Sequence, residues 1–193
     1  MSTFQHRSGS PLIQQDEISL LRQVESPLPH TEKEIATLMN LLTSADQPIE
    51  SIMIGHGRDT ASKKAANTLA KWWEMSGGID GTGGYVLDVV DWPEEAASWL
   101  RHATRFTHGN PDAWVVTGPL VGWIQMSRRL YKDTEWNPKK TFGFASLADH
   151  CVVKFAGGII LEGMRGALSD GGTWKIINGQ LSTHSSTMHE DTL

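Results

Sequence analysis

The chain has 193 residues, 39% hydrophobic and 20% charged, a balance typical of one soluble globular domain. Its net charge of −5 excludes a broad basic surface, so we expect no nucleic-acid partner, and the basic pair Lys139–Lys140 is typical of solvated surface. The single cysteine, Cys151, excludes an intramolecular disulfide and a CxxC metal site. No leader-like pattern opens the chain, and no apolar run approaches the ~20 residues of a membrane span. We therefore expect a cytoplasmic protein without a membrane partner.

Composition divides the chain into three parts. Residues 1–30 are rich in Ser, Pro and Gln and predict a flexible arm with at most a short helical stretch. Residues 31–181 carry the periodic apolar pattern of a folded domain, and residues 182–193 predict a disordered tail. The domain opens with a helix, for which Thr31 and Glu34 have the spacing of a capping box.

Strands and helices then alternate. A short buried strand is expected at residues 51–55, a helix at 60–75 and a second strand at 85–90. The stretch "DWPEEAASWLRHATRF" predicts a helix with Pro93 in its first turn. A third strand follows at residues 113–118, and "LVGWIQMSRRLYKD" predicts the next helix.

The last third of the domain is expected to continue this alternation. "KTFGFAS" and "HCVVKFA" predict a fourth and a fifth strand, and "IILEGMRGALS" predicts a final helix. Strands that alternate with helices form βαβ units. The sequence therefore predicts an α/β fold: a single doubly wound domain with a mainly parallel sheet of about five strands, Rossmann-like or flavodoxin-like.

The turn "GHGRDTAS" is the first candidate ligand site, because it joins the carboxyl end of the first strand to a helix N-terminus. Glycines allow close approach of a ligand, an arginine adds charge, and hydroxyls add hydrogen bonds. The candidate ligand-binding residues here are Gly55, His56, Gly57, Arg58, Thr60 and Ser62. Two alternatives stay open: a plain turn with Asp59 or Thr60 as N-cap, or a metal or acid/base role for His56.

A second strand end supplies further candidates. Thr117 and Gly118 end the third strand and are expected to face the same crevice, although Pro119 also suits a structural helix start. The candidate proton carriers are Glu94, Glu95, His102 and His108, of which Glu95 and His108 are chosen as catalytic. The alternative for the two glutamates is a structural interaction with a helix dipole.

Parts of the chain resemble SIS (sugar isomerase) domains. The resemblance lies in "IMIGHGRDTASKKAANTLAK", "DAWVVTG" and "TFGFASLADHCVVKF", about half of the chain. It implies a homo-oligomer that binds a phosphorylated sugar, with isomerase activity as the associated reaction and no cofactor. Gly55, Gly57, Arg58, Thr60 and Thr117 would hold the phosphate, and Glu95 or His108 would carry protons. Asp59 stands where that family has a serine, so either it caps the helix or the ligand is not a phosphate.

Two other families match the same frame. Residues 52–144 resemble a lobe of the periplasmic-binding type, as in lac-repressor-like regulators, which implies a non-catalytic small-ligand sensor or binding module. Residues 55–59 are similar to the Gly-His-Gly strand end of sirohydrochlorin chelatases, but Trp123 stands near the position of their second metal-binding histidine. These alternatives remain open from sequence alone.

Overall fold

The computed structural model describes residues 27–186 together with Ile18, Ser19 and Leu21. Most of the predicted arm and the last seven positions, 187–193, lie outside the described residues. Ile18 and Leu21 are helical, and their side chains are buried in the core. Outside the described residues, the flexible arm and the disordered tail stay predictions.

A seven-stranded sheet forms the centre of the described chain. Its strands are β1 (Ser51–Gly57), β2 (Tyr85–Trp92), β3 (Ala113–Thr117), β4 (Thr141–Gly143), β5 (Arg165–Ala167), β6 (Thr173–Ile177) and β7 (Gln180–His184). They lie in the order β2-β1-β3-β4-β5-β6-β7, parallel from β2 to β5 and antiparallel from β5 to β7. The parallel part has the flavodoxin-like order, which confirms the α/β fold with a mainly parallel sheet.

Helices cover both faces of this sheet, as the doubly wound prediction requires. They are α1 (Glu32–Thr43), α2 (Thr60–Ser76), α3 (Leu100–Phe106), α4 (Leu120–Asp133) and α5 (His150–Ala156). One apolar cluster lies under α1 and α2 and includes Leu38 and Leu69. The other lies under α3, α4 and α5 and includes Phe106 and Ile124. Each strand of the sheet centre is therefore buried on two sides, which explains its continuous apolar sequence.

The start of α1 follows the predicted chemistry. Thr31 Oγ1 accepts a hydrogen bond from the Glu34 N–H (3.1 Å), and a Glu34 carboxylate oxygen accepts one from the Thr31 N–H (3.3 Å). The capping box is therefore present. Glu34 also reaches the loop after β4, where its Oε1 accepts a hydrogen bond from the Ala145 N–H at 2.6 Å.

The predicted strand "HCVVKFA" is wrong: these residues form α5. Asp149 caps this helix, because its Oδ1 accepts a hydrogen bond from the Cys151 N–H at 2.7 Å. Val152 and Ala156, four positions apart, are the buried residues of the helix. A short apolar run does not distinguish strand from helix, so the N-cap was the deciding signal.

The predicted helix "IILEGMRGALS" is also wrong, and the sheet has seven strands where about five were predicted. The stretch holds turns and then β5, in which Gly166 packs against Gly143 and Trp174 with no room for a side chain. β6 and β7 form a hairpin across Asn178 and Gly179, whose φ angles of 51° and 69° fit a type I′ turn. Residues 182–184 thus belong to β7 and not to a disordered tail.

The helix predicted to begin beside Pro93 begins only at Leu100. β2 continues to Trp92, and side-chain hydrogen bonds then hold the next segment in a non-helical path. Trp99 Nε1 donates to the Pro93 carbonyl at 3.2 Å, and Gln125 Nε2 donates to the Glu94 carbonyl at 3.2 Å. These tertiary contacts override the local helical pattern.

Candidate ligand-binding site

The carboxyl ends of β1 and β3 lie side by side at the point where the strand order reverses. From β1 the chain passes to β2 on one side, and β3 then pairs with the other side of β1. The two loops approach closely: a Cβ on Gly57 would lie 2.5 Å from Pro119 Cδ, and one on Gly118 would lie 3.0 Å from the Gly57 nitrogen. Glycine is therefore required where the loops cross, at the position where such folds bind ligands.

Two carboxylates occupy this crossing. Asp59 caps α2, its Oδ1 accepting a hydrogen bond from the Ser62 N–H at 2.9 Å. Glu94, from the loop after β2, accepts one from the Gly122 N–H in the first turn of α4 at 2.8 Å. Pro119, at the N-cap of α4, makes no side-chain cap, so Glu94 takes that role. Both helix N-termini that could hold an anion are thus already bound by the protein's own carboxylates.

The remaining oxygens of these carboxylates both lie beside Gly57. Asp59 Oδ2 and Glu94 Oε1 lie 3.0 and 3.3 Å from the point that a Gly57 Cβ would occupy. Both atoms are buried and have no hydrogen-bond partner among the described residues. Burial, together with the charge of Asp59, raises the pKa of Glu94 to about 7, although the Gly122 N–H acts in the opposite direction. Glu94 therefore holds a proton in weakly acidic solution.

His56 and Arg58 each contact another residue of the same chain. His56 is buried, and its Nδ1 lies 2.6 Å from the Gly57 carbonyl oxygen, which can only accept, so Nδ1 carries a proton. Arg58 is exposed, and its Nε donates to Asp91 Oδ2 at 2.6 Å. This hydrogen bond and the nearby positive charge lower the pKa of Asp91.

The other predicted residues of the turn separate into two groups. Gly55 lies against Trp92 and Phe106, with no space for a ligand, so the structure gives it a packing role. Ser62 is buried in α2, and its Oγ has no partner among the described residues. Thr60 is exposed and lines a shallow depression on the outer face of α2.

A cavity of about 260 Å³ opens beside the crossing, on the α1 and α2 side of the sheet. Thr117 is buried at its wall, and Gly118 donates its N–H to Ser146 Oγ at 3.4 Å. The residues that line the cavity come from α1, α2, the end of β3 and the neighbouring loops, and they include His30, Glu34, Ala65, Thr117, Phe144 and Ser146. The lining therefore combines hydroxyl groups with an aromatic ring and a buried carboxylate.

Two titratable groups line this cavity. Burial raises the pKa of Glu34, despite the hydrogen bonds from the Ala145 and Thr31 N–H groups. Burial and the charge of Lys64 lower the pKa of His30, whose Nδ1 has no hydrogen-bond partner among the described residues. The imidazole is thus neutral over a wider pH range than usual.

The two predicted proton carriers lie apart from the crossing. His108 is exposed in the loop before β3, at the opposite edge of the sheet, beside Arg105 and Leu87. Glu95 is exposed, whereas the adjacent Glu94 reaches the crossing. The sequence did contain the signal for Glu94, because it follows the carboxyl end of β2, which is parallel to β1. Glu34 was recognised only as a cap, and nothing marked His30 or Ser146.

No family model matches the chain, and no curated protein matches it. Among solved structures, the chain is similar to a substrate-binding periplasmic protein from Ralstonia solanacearum, with a TM-score of 0.56 and 14% identity. The match covers 76% of this chain and 39% of that protein, so the chain spans well under half of its length. At this identity the likeness shows the fold alone, an α/β architecture.

No helix of the described residues is long and apolar enough to cross a membrane. The cytoplasmic location, the homo-oligomer and the SIS resemblance stay predictions.

Proposed function

We propose that this protein is a non-catalytic binding module of the periplasmic-binding-like type, which holds a small neutral polar molecule in the cavity beside Thr117. The observation that carries the proposal is the position of that cavity at the reversal of strand order, where α/β sheets bind ligands. Thr117 and Ser146 offer hydroxyl groups, and the Phe144 ring offers an apolar surface. Sugars and polyols present matching hydroxyls and C–H faces.

Charge argues against a phosphate as the ligand. Asp59 and Glu94 already bind the N-termini of α2 and α4, and each keeps an oxygen near Gly57. A phosphate at this turn would meet these carboxylates at close range and would find the helix N–H groups occupied. Arg58, the one cationic residue among the predicted phosphate ligands, is paired with Asp91.

The separation of the predicted proton carriers supports binding without chemistry. His108 lies at the other edge of the sheet, and Glu95 does not line the cavity. Glu34 lines it, but each of its oxygens accepts a hydrogen bond from a backbone N–H. A fixed acceptor of this kind positions a ligand hydroxyl more readily than it transfers a proton.

The test is calorimetric titration with matched pairs: glucose and ribose against glucose 6-phosphate and ribose 5-phosphate. We expect the neutral member of a pair to bind and the phosphorylated member to bind more weakly. Thr117→Val, which removes the hydroxyl and keeps the shape, should weaken binding about three- to tenfold. Thr104→Val is the matched control, because the Thr104 hydroxyl bonds within α3 to the Leu100 carbonyl.

Tighter binding of the phosphorylated members would overturn this proposal and would favour the SIS prediction instead. Interconversion of sugar phosphates by the wild-type protein would do the same, and would call for Glu95→Ala and His108→Ala variants. Equal affinity of wild type and Thr117→Val would remove the cavity as the site.

A further inference from the structure

The opposite, amino edge of the sheet carries a row of side chains that the proposed function does not use. In the sheet, Phe142 of β4 pairs with Arg165 of β5, and Arg165 pairs with Lys175 of β6. Residues directly opposite one another on neighbouring strands project to the same face. The side chains of Phe142, Arg165 and Lys175 therefore lie next to one another on one face of the sheet.

Within residues 27–186, Arg165 has no acidic partner. Its guanidinium carbon lies 4.6 Å from the centre of the Phe142 ring, a cation–π contact. Its Nε is buried and has no hydrogen-bond partner among the described residues, and Arg165 enters none of the ion pairs found there. Buried donors are normally satisfied, so this N–H indicates an acceptor that the described residues do not supply.

A cavity of about 480 Å³ lies at this point. Its walls combine the apolar side chains of Ile49 and Phe142 with a concentration of positive charge. The cationic residues of the lining are Lys139, Lys140, Arg165 and Lys175. The pair Lys139–Lys140, which the sequence suggested to be solvated surface, is exposed at the margin of this cavity.

The lining also holds three acidic residues, and two of them lie near its lysines. The charges of Lys139 and Lys175 act on Glu162, and the charge of Lys140 acts on Asp112. Asp112 Oδ2 accepts hydrogen bonds from the Glu50 and Ser51 N–H groups at 3.1 and 2.8 Å. The two oxygens of Glu162 accept from the Asn178 and Gly179 N–H groups at 3.0 and 2.9 Å. Asp46 is the remaining acidic residue of the lining, and it is exposed. Among the described residues no carboxylate forms an ion pair with Arg165, so its guanidinium remains for an external anion.

We propose that this amino-edge cavity binds a small organic anion, with its carboxylate or phosphate group on Arg165 and the flanking lysines. The planar guanidinium presents N–H donors in a fork that matches either oxyanion. The apolar body of the ligand lies against Phe142 and Ile49. This site is distinct from the cavity beside Thr117: it lies at the other edge of the sheet and takes an anion, whereas the Thr117 cavity takes a neutral molecule.

The test uses three probes of one shape: benzoate, phenyl phosphate and the neutral benzyl alcohol, titrated into the full chain at low and high NaCl. We expect one or both anions to bind, benzyl alcohol to bind much more weakly, and the affinity to fall as salt rises. The benzoate and phenyl phosphate arms distinguish a carboxylate from a phosphate ligand. Arg165→Gln should weaken anion binding at least about tenfold.

Two further variants keep the result decisive. Arg101→Gln makes the same change of charge on α3, which packs beside β2 at the far side of the sheet, and should leave the affinity unchanged. Lys140→Gln with Lys175→Gln changes only exposed residues, so it should fold, weaken the affinity and flatten its salt dependence even if Arg165→Gln fails to fold. Failure of both anions to bind wild type would overturn the proposal. An anion affinity equal to that of wild type in a folded Arg165→Gln protein, or in the double lysine variant, would also overturn it. A loss of affinity in Arg101→Gln as large as that in Arg165→Gln would do the same.

Discussion

Glu94 is the residue whose chemistry depends most on its surroundings. Burial removes water from the carboxyl group, and Asp59 adds a like charge, so both favour the protonated form. The proton allows Glu94 to act toward Asp59 Oδ2 as a donor, which would relieve two buried oxygens at once. Such a hydrogen bond would join the β1–α2 turn to the start of α4, and it requires one proton on the pair.

This predicts a pH effect on stability. The folded pKa of Glu94, about 7, lies above its ordinary value of 4.5, so the folded protein binds more protons between those values. The free energy of unfolding should therefore fall as pH rises through this window, by on the order of 2–3 kcal/mol from Glu94. Glu94→Gln cannot ionise, and it should lose this dependence and gain stability at about pH 8.

Urea unfolding of wild type and Glu94→Gln, each at about pH 5 and about pH 8, gives the change in the free energy of unfolding between the two pH values for each protein. The difference between these two changes is the contribution of Glu94, because the contributions of the other titrating groups cancel. Glu95→Gln is the control on the adjacent, exposed glutamate and should keep the wild-type pH profile. Parallel profiles for wild type and Glu94→Gln would show that the carboxyl pair does not share a proton.

Among the elements, α1 has the most completely bonded start. The Thr31 hydroxyl accepts from the Glu34 N–H and donates to the Ser169 carbonyl at 2.7 Å, which ties the helix to the loop after β5. Thr31→Ala should lower the free energy of unfolding by about 1–2 kcal/mol. Thr31→Ser keeps the hydroxyl and should retain most of that stability. Chemical denaturation of both variants is the measurement, and a serine variant as unstable as the alanine variant would contradict the hydrogen-bond explanation.

The elements also show how far sequence reasoning reaches. The α/β alternation, the Thr31 capping box and the strand-to-helix turn after β1 follow from local patterns, and the structure contains them. α5 was mistaken for a strand because its apolar run is too short for periodicity to decide. The Asn178-Gly179 dipeptide, between two strand-like runs, is a strong hairpin signal, and the hairpin is therefore predictable from the sequence.

The candidate site was predictable only in part, for a different reason. The sequence correctly leads to the ends of β1 and β3, because parallel strands end at one edge. It does not reveal that Glu94 crosses to Gly122, or that His30 and Glu34 of the α1 start line the same cavity as Thr117. Such contacts depend on how helices pack on the sheet, which no spacing within the chain records.

At the scale of the whole molecule, the sheet separates two apolar clusters that share its strands. Leu69, in α2, and Ile124, in α4, are fully buried on opposite faces. Leu69→Ala and Ile124→Ala should each cost about 2–5 kcal/mol, and each should still unfold in one transition because the sheet couples the faces.

Tryptophan fluorescence and far-UV circular dichroism measure the unfolding of these two variants independently. Ile79→Ala, at a side chain that is 69% exposed, is the control and should change stability by less than about 0.5 kcal/mol. Separate transitions for the two probes would mean that the faces unfold independently, contrary to this expectation.

The change from parallel to antiparallel pairing at β5 has a consequence for the order of folding. β6 and β7 are joined by a two-residue turn, and an isolated hairpin of this kind forms within about 1–10 μs. β1, in contrast, lies between β2 and β3, and its contact with β3 closes a loop that contains α2, β2 and α3. Because closure of a long loop is slow, the β6–β7 hairpin should form before the parallel strands pair. It should then pair with β5 once the parallel sheet has formed.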